Sequence, residues 1–346
     1  MIAVEVVTVT DQLRDGYDVV VVGGGAAGLS GALMLARARR SVVVIDAGAP
    51  RNAPAAGVHG LLARDGIGPV ELLERGRAEV RGYGAQVVPG EVDAVAREDN
   101  GFAVALADGR TVRARRMLAA TGLTDELPDI PGLRARWGRD VVHCPYCHGW
   151  EVRDRAIGVL ANGPLAVHQA LLFRQWSADV TLFSHTMAPP AGEEAEQMAA
   201  RGISVVDGEV AALEIVEDRL VGVRRGDGTV VSREVLAISS RMAARTGFLA
   251  ALGLRPAEHP GGMGEHIPSD ATGRTEVPGV WVAGNVTDLA AQVGTAAAAG
   301  AAAAAQINAD LVAEDTRQAV AAHRDPLTRV RSASGEQVTG GRRHGR

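Results

Sequence analysis

Residues 17–46 constrain the fold more tightly than any other stretch of the chain. Tyr17-Asp18-Val19-Val20-Val21-Val22 is a continuous, β-branched run without polar alternation. Such a run suits a strand buried on both faces of a parallel sheet. It passes straight into Gly23-Gly24-Gly25-Ala26-Ala27-Gly28. A helical pattern follows from Leu29 to Arg40, then a second apolar strand, Ser41–Ile45, ending at Asp46. The whole is a β-α-β unit with Gly-x-Gly-x-x-Gly at its first turn. In that pattern the first glycine allows the tight turn, the second lets the backbone approach a pyrophosphate, and the third lets helix and strand pack closely. A pyrophosphate then sits at the helix N-terminus, where free N–H groups and the dipole favour an anion. The acid that ends the second strand reaches the ribose hydroxyls. The loop by itself does not separate FAD from NAD.

Composition removes several function classes. The chain has 346 residues, 47% hydrophobic and 22% charged, which indicates two or three folded domains rather than a disordered chain. The uncharged apolar stretch reaching membrane-helix length is Leu289–Ile307, and it is mostly Ala and Gly, too weakly hydrophobic to favour insertion. Residues 1–16 read as a loose leader carrying acids and no signal-peptide pattern, so the expected location is cytoplasmic, away from membranes. With a net charge of −5 and no basic stripe in its body, the chain has no electrostatic footprint for nucleic acid. All 36 basic residues are Arg, which excludes Schiff-base lysine chemistry and the P-loop lysine. Only two cysteines are present, so a disulfide-stapled secreted fold is excluded as well.

The rest of the chain repeats the opening theme. Residues 87–118 read as short strands, with turns at Asn100-Gly101 and Asp108-Gly109, the latter a hairpin. Leu127-Pro128-Asp129-Ile130-Pro131-Gly132 breaks the pattern and suits a domain linker. Ala156–Leu160, a helical stretch Ala166–Trp176 and Val180–Phe183 make a second β-α-β unit, and another hairpin sits near Asp227-Gly228. A second linker is expected near Ser239–Arg245, and a helix over Gln292–Ala305 on alanine propensity. The Arg- and Gly-rich end has no periodicity and reads as disordered.

His143-Cys144-Pro145-Tyr146-Cys147-His148 is the candidate chemical centre. Zinc fits poorly, because four ligands within six consecutive residues do not easily enclose one ion and no second Cys/His cluster exists. The haem-attachment pattern Cys-x-x-Cys-His requires export. Cys-Pro-Tyr-Cys also occurs in glutaredoxins, which are short thioredoxin-like chains. A redox disulfide working against a dinucleotide cofactor fits the rest of the sequence. Exchange needs a thiolate that attacks a disulfide sulfur, and a helix N-terminus or neighbouring His lowers a thiol pKa. His148 can move protons near neutral pH. His143 reads equally well as a packing histidine.

Thr275-x-Val277-Pro278-Gly279-Val280-Trp281-Val282-Ala283-Gly284-Asn285-Val286-Thr287-Asp288, together with Ala120-Thr121-Gly122, resembles the FAD-binding signatures of flavoproteins with two dinucleotide domains. With the cysteine pair, the arrangement resembles the low-molecular-weight thioredoxin reductase family from residue 17 to about 320. The resemblance implies an α/β fold of two Rossmann-like dinucleotide-binding domains, the second inserted in the first. The expected division is a leader at 1–16, an FAD-binding domain at 17–127 and 241–322, a second domain at 128–240 carrying the cysteines, and a tail at 323–346. FAD would be held by Gly23, Gly25, Ala26, Ala27 and Gly28, by Asp46, Ala47, Arg51 and Asn52, by Thr121 and Gly122, and by Gly284, Asn285, Asp288, Gln292 and Val293. At Asn285 the family usually has Asp. The family also implies a homodimer, with Cys144 as the exchanging thiol, Cys147 facing the flavin, and His148 in place of an acid.

The second β-α-β unit departs from that family. Its turn reads Ala161-Asn162-Gly163-Pro164-Leu165-Ala166, with Ala161 at the first glycine position and Pro164 lacking an N–H. Reductases of the family carry arginines after the following strand to hold the NADPH 2′-phosphate, whereas this chain has Ser184-His185-Thr186-Met187-Ala188-Pro189-Pro190. The segment Cys144–Glu151 is similar to a branch of dithiol oxidases that close disulfides in natural products such as gliotoxin and holomycin. That branch lacks a working NADPH site and runs electrons from a substrate dithiol through the cysteines and FAD to O2. The expectation is therefore an FAD-dependent dithiol oxidase. The alternatives are an NADPH-dependent thioredoxin reductase, with Arg174 or Arg241 reaching the phosphate from elsewhere, and a non-catalytic redox sensor.

Overall fold

The computed structural model describes residues 13–324. Residues 1–12 and 325–346, most of the expected leader and tail, lie outside the described residues. The last leader residues are already part of the fold: Leu13 packs on the core and the Arg14 N–H donates to the Tyr17 hydroxyl at 2.9 Å.

The first β-α-β unit forms as β1 (Tyr17–Val22), α1 (Ala26–Arg37) and β2 (Val42–Asp46). β1 and β2 pair in parallel, and Val19, Val20, Val21, Val43 and Val44 are fully buried. That is the outcome expected for β-branched runs covered on both faces. The helix begins three residues earlier than its apolar pattern, because the glycine turn itself supplies the first helical residues. After α2 (Pro69–Gly82) the chain adds β3 (Gln86–Pro89) beside β2. It then makes an antiparallel meander of β4 (Val92–Glu98), β5 (Gly101–Leu106) and β6 (Thr111–Ala119), whose turns fall at the two glycine pairs read from the sequence. β6 returns to pair in parallel with β1.

From there β7 (Leu123–Glu126) leads away through the 127–132 segment and the short α3 (Leu133–Arg136) into a second parallel sheet. This sheet holds β8 (Val141–Val142), then, beyond α4 (Pro145–His148), β9 (Ile157–Leu160), α5 (Ala166–Phe173) and β10 (Val180–Phe183). α6 (Glu193–Ala200) and β11 (Ser204–Val206) extend it. A separate meander of β12 (Val210–Val216), β13 (Arg219–Arg225) and β14 (Val230–Val231) follows before β15 (Val235–Ile238) closes the sheet between β8 and β9. The second β-α-β unit is thus present, with its helix ending three residues before the expected Trp176.

The expected linker near Ser239–Arg245 contains a strand. β16 (Arg241–Ala244) pairs antiparallel with β7 and parallel with β18 (Gly264–His266), which in turn pairs with β17 (Ala257–Glu258). The outward and returning crossovers satisfy each other's backbone groups, which a sequence read segment by segment does not reveal. The chain then returns to the first sheet as β19 (Val280–Val282), parallel to β6.

The last helix, α7 (Val293–Arg324), is 32 residues long, more than twice the expected span, and takes in the first two residues of the expected tail. Among the described residues no helix is long and apolar enough to cross a membrane. α7 lies on α1 at a distance only glycine permits. A Cβ on Gly300 would stand 1.9 Å from the Ala27 carbonyl oxygen, and one on Gly28 would stand 1.9 Å from that of Gly23. These contacts lock α1, the turn before it and α7 into one block.

Candidate functional site

The glycine turn and the cysteine pair open into one cavity of about 1040 Å³. That is at the upper end of the ~300–1,000 Å³ typical of ligand pockets. Gly23, with φ +104°, puts its Cα against the Ala120 carbonyl, and a Cβ there would lie 2.4 Å from that oxygen. Gly24 lies so close to Asp46 that a Cβ would meet the carboxylate at 2.5 Å. α1 begins at Gly25 with no side-chain cap and no acid in its first turn, so its leading N–H groups are left for an anion.

Of the residues expected to hold FAD, Gly23, Gly25, Ala26, Ala27, Asp46, Ala47, Arg51, Asn52, Thr121, Gly122, Gly284, Asn285, Gln292 and Val293 line this cavity. The uncapped N-terminus and the bare glycine backbone fit a pyrophosphate. Two expected residues do not line it. Gly28 is buried in the helix–strand contact, as its packing role requires. Asp288 is exposed, and its Oδ1 accepts from the Ala290 N–H at 3.1 Å, shaping the turn before α7. Asn285 donates its Nδ2 to the carbonyls of Asp288, Leu289 and Ala291 at 3.0, 3.2 and 2.9 Å. Its side-chain oxygen is the group left to face a ligand, as an acceptor only.

Several partners escape a sequence reading. Asp46 is paired with Arg77 of α2 at 2.8 Å. Arg51 forms a two-pronged ion pair with Asp125 of β7, both contacts at 2.7 Å, and Asp125 also accepts from the Ser240 hydroxyl at 2.5 Å. Despite its burial the Asp125 carboxyl is held below the usual range by Arg51 and Ser240. No spacing or motif links Arg51 to a residue so distant in the chain.

At the other end of the cavity, α4 is a single turn with Cys144 at its N-cap and Pro145 at the first helical position. The N–H groups of Cys147 and His148 both point at the Cys144 carbonyl, each at 3.2 Å. Both thiols are free, half-buried and exposed to the cavity. The hydrogen bond from Cys147 lowers the Cys144 thiol to about 7, assisted by neighbouring backbone N–H groups and by the Arg51 charge, against opposing desolvation. The same hydrogen bond raises Cys147, and burial adds to the rise. In the reduced pair Cys144 therefore ionises first, with the proton kept on Cys147.

The two histidines flanking the pair are both pushed towards the neutral form by burial. The His143 ring is anchored, its Nδ1 donating to the Ile238 carbonyl at 3.1 Å. His148 lines the cavity with both ring nitrogens buried, and the Cys144 backbone and the Glu151 carboxylate favour its protonated form against the stronger effect of burial. Among the described residues no set of three or more His, Cys, Asp or Glu side chains is placed to hold a metal ion.

The corresponding turn of the second unit is built differently. Asn162 donates its side-chain N–H to the Ser239 carbonyl, and α5 starts at Ala166 behind Pro164 without a side-chain cap. After β10, Ser184 is buried and His185 adopts a left-handed φ of +53°. The His185 Nδ1 accepts from the Val210 N–H at 3.0 Å, tying the turn to β12. Both remote arginines have other partners. Arg174 donates to the carbonyls of Arg201 and Ser177 at 2.8 and 3.2 Å. Arg241 is ringed by Glu258, Glu265 and Glu126 at 2.6, 3.0 and 3.5 Å.

Comparison with known proteins agrees with this geometry. Residues 17–305 match the profile of the family described as pyridine nucleotide-disulphide oxidoreductase. The thioredoxin reductase tcpT of Claviceps purpurea is 33% identical over 279 residues, covering 78% of this chain and 86% of that protein. The crystal structure of HlmI is 49% identical with a TM-score of 0.84, covering 90% of this chain and 98% of that one. An oxidoreductase from Agrobacterium tumefaciens is 34% identical with a TM-score of 0.80, covering 86% of this chain and 99% of that one. The chain belongs to the pyridine nucleotide-disulphide oxidoreductase family and is, within it, a thioredoxin reductase-like, FAD-binding disulfide oxidoreductase.

Proposed function

We propose that this oxidoreductase works as a dithiol oxidase, closing a small-molecule dithiol to a disulfide through Cys144 and Cys147 with O2 as final acceptor. The observation that carries the reading is the turn after β10. It holds no arginine, and its one basic side chain, His185, is spent on the Val210 backbone. A 2′-phosphate is ordinarily held by charge-assisted, often bidentate, arginine contacts, and none is offered there. The reading includes an FAD-binding domain of 17–127 and 241–322, an inserted domain of 128–240, and a cytoplasmic homodimer.

In the oxidase direction the exchange uses both cysteines. In the oxidised pair, a substrate thiolate attacks the Cys144 sulfur, the Cys144–Cys147 bond breaks, and Cys147 takes up a proton. The second substrate thiolate then attacks the substrate sulfur of the mixed disulfide and expels Cys144. A thiol of lower pKa leaves faster, and Cys144, at about 7, is the low one of the pair. His148, pushed towards the neutral form by burial and lining the same cavity, accepts the proton of the attacking substrate thiol. FAD, if bound here, would supply the two-electron acceptor that allows the Cys144–Cys147 disulfide to re-form, with O2 as the final acceptor of the proposal. The glycine turn, the α1 N-terminus and Asn285, which line the cavity, would hold that cofactor.

The test is stoichiometric. The purified flavoprotein mixed with dithiothreitol in air, without NADPH, should consume one O2 and form one hydrogen peroxide per disulfide. Cys144→Ser and Cys147→Ser should each abolish this while retaining flavin. Turnover that strictly requires NADPH would replace the reading with that of a reductase.

A further inference from the structure

Oxidation of a dithiol by the cysteine pair liberates a proton inside a cavity. The substrate brings two; Cys147 keeps one, and Cys144, lowered to about 7, keeps the other only in part at neutral pH. The balance is dithiol plus enzyme disulfide giving cyclic disulfide, Cys144 thiolate, Cys147 thiol and one free proton. His148 can receive it, but both its ring nitrogens are buried. Dithiol plus O2 giving disulfide plus hydrogen peroxide is proton-neutral overall, so a path between His148 and water would let this proton leave during exchange and protons return when the electrons pass on.

His59 is placed to provide it. It belongs to the loop after Asn52, and this loop is held by the Val58 N–H on the Ile67 carbonyl and the Gly66 N–H on the Val58 carbonyl, both at 2.8 Å. His59 lines the same cavity as His148, with 23% of its side chain exposed. Its Nε2 lies 3.5 Å from Glu151 and its Nδ1 3.6 Å from Asp65, two carboxylates whose side chains are 39% and 70% exposed. Asp65 is itself fixed by accepting the Gly60 N–H at 2.8 Å. Glu151 follows α4 by one turn, its N–H bonded to the His148 carbonyl at 3.1 Å. The buried histidine, the cavity-edge histidine and the two exposed acids thus form a graded series from the thiols to water.

We propose that His59 is the proton relay of the site, taking the proton from His148 and delivering it to solvent through Glu151 and Asp65. The imidazole suits the task because one nitrogen can accept while the other donates. Bridging water closes the remaining gaps between the groups. The charged groups around the path are Cys144, Glu151 and His59 about His148, and Asp65 and Glu151 about His59. Arg51 and Asp125 stand on the His143 side. The inference rests only on thiol–disulfide exchange and holds whatever finally accepts the electrons.

The test uses the holoenzyme under anaerobic conditions, with the rate of oxidation of one equivalent of dithiothreitol read in a single turnover. His59→Gln keeps a polar side chain near Glu151 but does not titrate. It should slow this step about tenfold to a hundredfold, within the range of proton-transfer catalysis. Free imidazole should restore the rate in His59→Ala, and alkylation of reduced Cys144 by iodoacetamide should be unchanged in both variants. A rate in His59→Gln equal to wild type from pH 6 to 9 would overturn the proposal. So would a loss that imidazole does not restore, or one accompanied by altered Cys144 alkylation, since either marks a structural role. Failure of the oxidase reading would appear instead in the aerobic stoichiometry, leaving this single-turnover result intact.

Discussion

A single hydrogen bond divides the labour between the two cysteines. Donated by Cys147, it favours the Cys144 thiolate and disfavours ionisation of Cys147. The nucleophile is the thiolate, so a lowered pKa places its activity at lower pH. In the reduced protein, iodoacetamide should label Cys144 with a rate that is low at pH 5 and rises with a midpoint at about pH 7. Cys147 should stay unlabelled well past that midpoint. Equal labelling of the two, or a midpoint near that of an ordinary thiol, would remove the assigned roles. Arg51 adds positive charge that lowers both thiols, and the two-pronged contact with Asp125 holds it in place. Arg51→Met should therefore move the Cys144 midpoint upward, by up to roughly one pH unit for a nearby unit charge in a partly solvated site. The midpoint read from the same alkylation curve checks it. Cys144, Cys147 and His148 were legible in the sequence because their spacing carries the chemistry. The Arg51–Asp125 pair, Arg77 beside Asp46 and His59 were not, because each contact joins residues that only the fold brings together.

At the level of elements, two glycines decide how closely the first sheet and its helices approach. Gly28 sits in the fingerprint and was legible from it. Gly300 sits in an alanine-rich helix, where a glycine ordinarily weakens the element by about 1 kcal/mol relative to alanine. Its backbone faces the Ala27 carbonyl at a distance that excludes even a methyl group. Gly300→Ala should thus destabilise in spite of the better helix propensity, by at least the ~1–3 kcal/mol of core overpacking, and the shifted α1 should weaken flavin retention. Calorimetry and the bound-flavin ratio check both; a raised melting temperature would contradict the packing account. The β-α-β units, both hairpins and the start of α7 followed from local pattern. β16 did not, because its pairing with β7 and β18 is made by segments that leave and re-enter the first sheet. The full length of α7 was missed because its second half, from Gln306 onward, is polar on its exposed faces and loses the apolar signal.

The whole molecule repeats one β-α-β plan, and the two copies differ at the turn after their first strand. The first copy presents bare glycine backbone, an uncapped helix and a cavity that ends at two thiols. The second fills its turn with Asn162 and Pro164, ties His185 to a neighbouring strand, and keeps Arg174 and Arg241 engaged elsewhere. The fold class and the intact cradle could be read from the sequence, since glycine spacing and β-branched runs are local. That the remote arginines are committed to other partners could be read only from the structure. The central claim, that electrons enter from a dithiol rather than from NADPH, is tested most directly by anaerobic stopped-flow mixing of the holoenzyme, following flavin absorbance. The account predicts rapid bleaching by a small dithiol and slow or no bleaching by NADPH. Rapid, saturable bleaching at micromolar NADPH would contradict it.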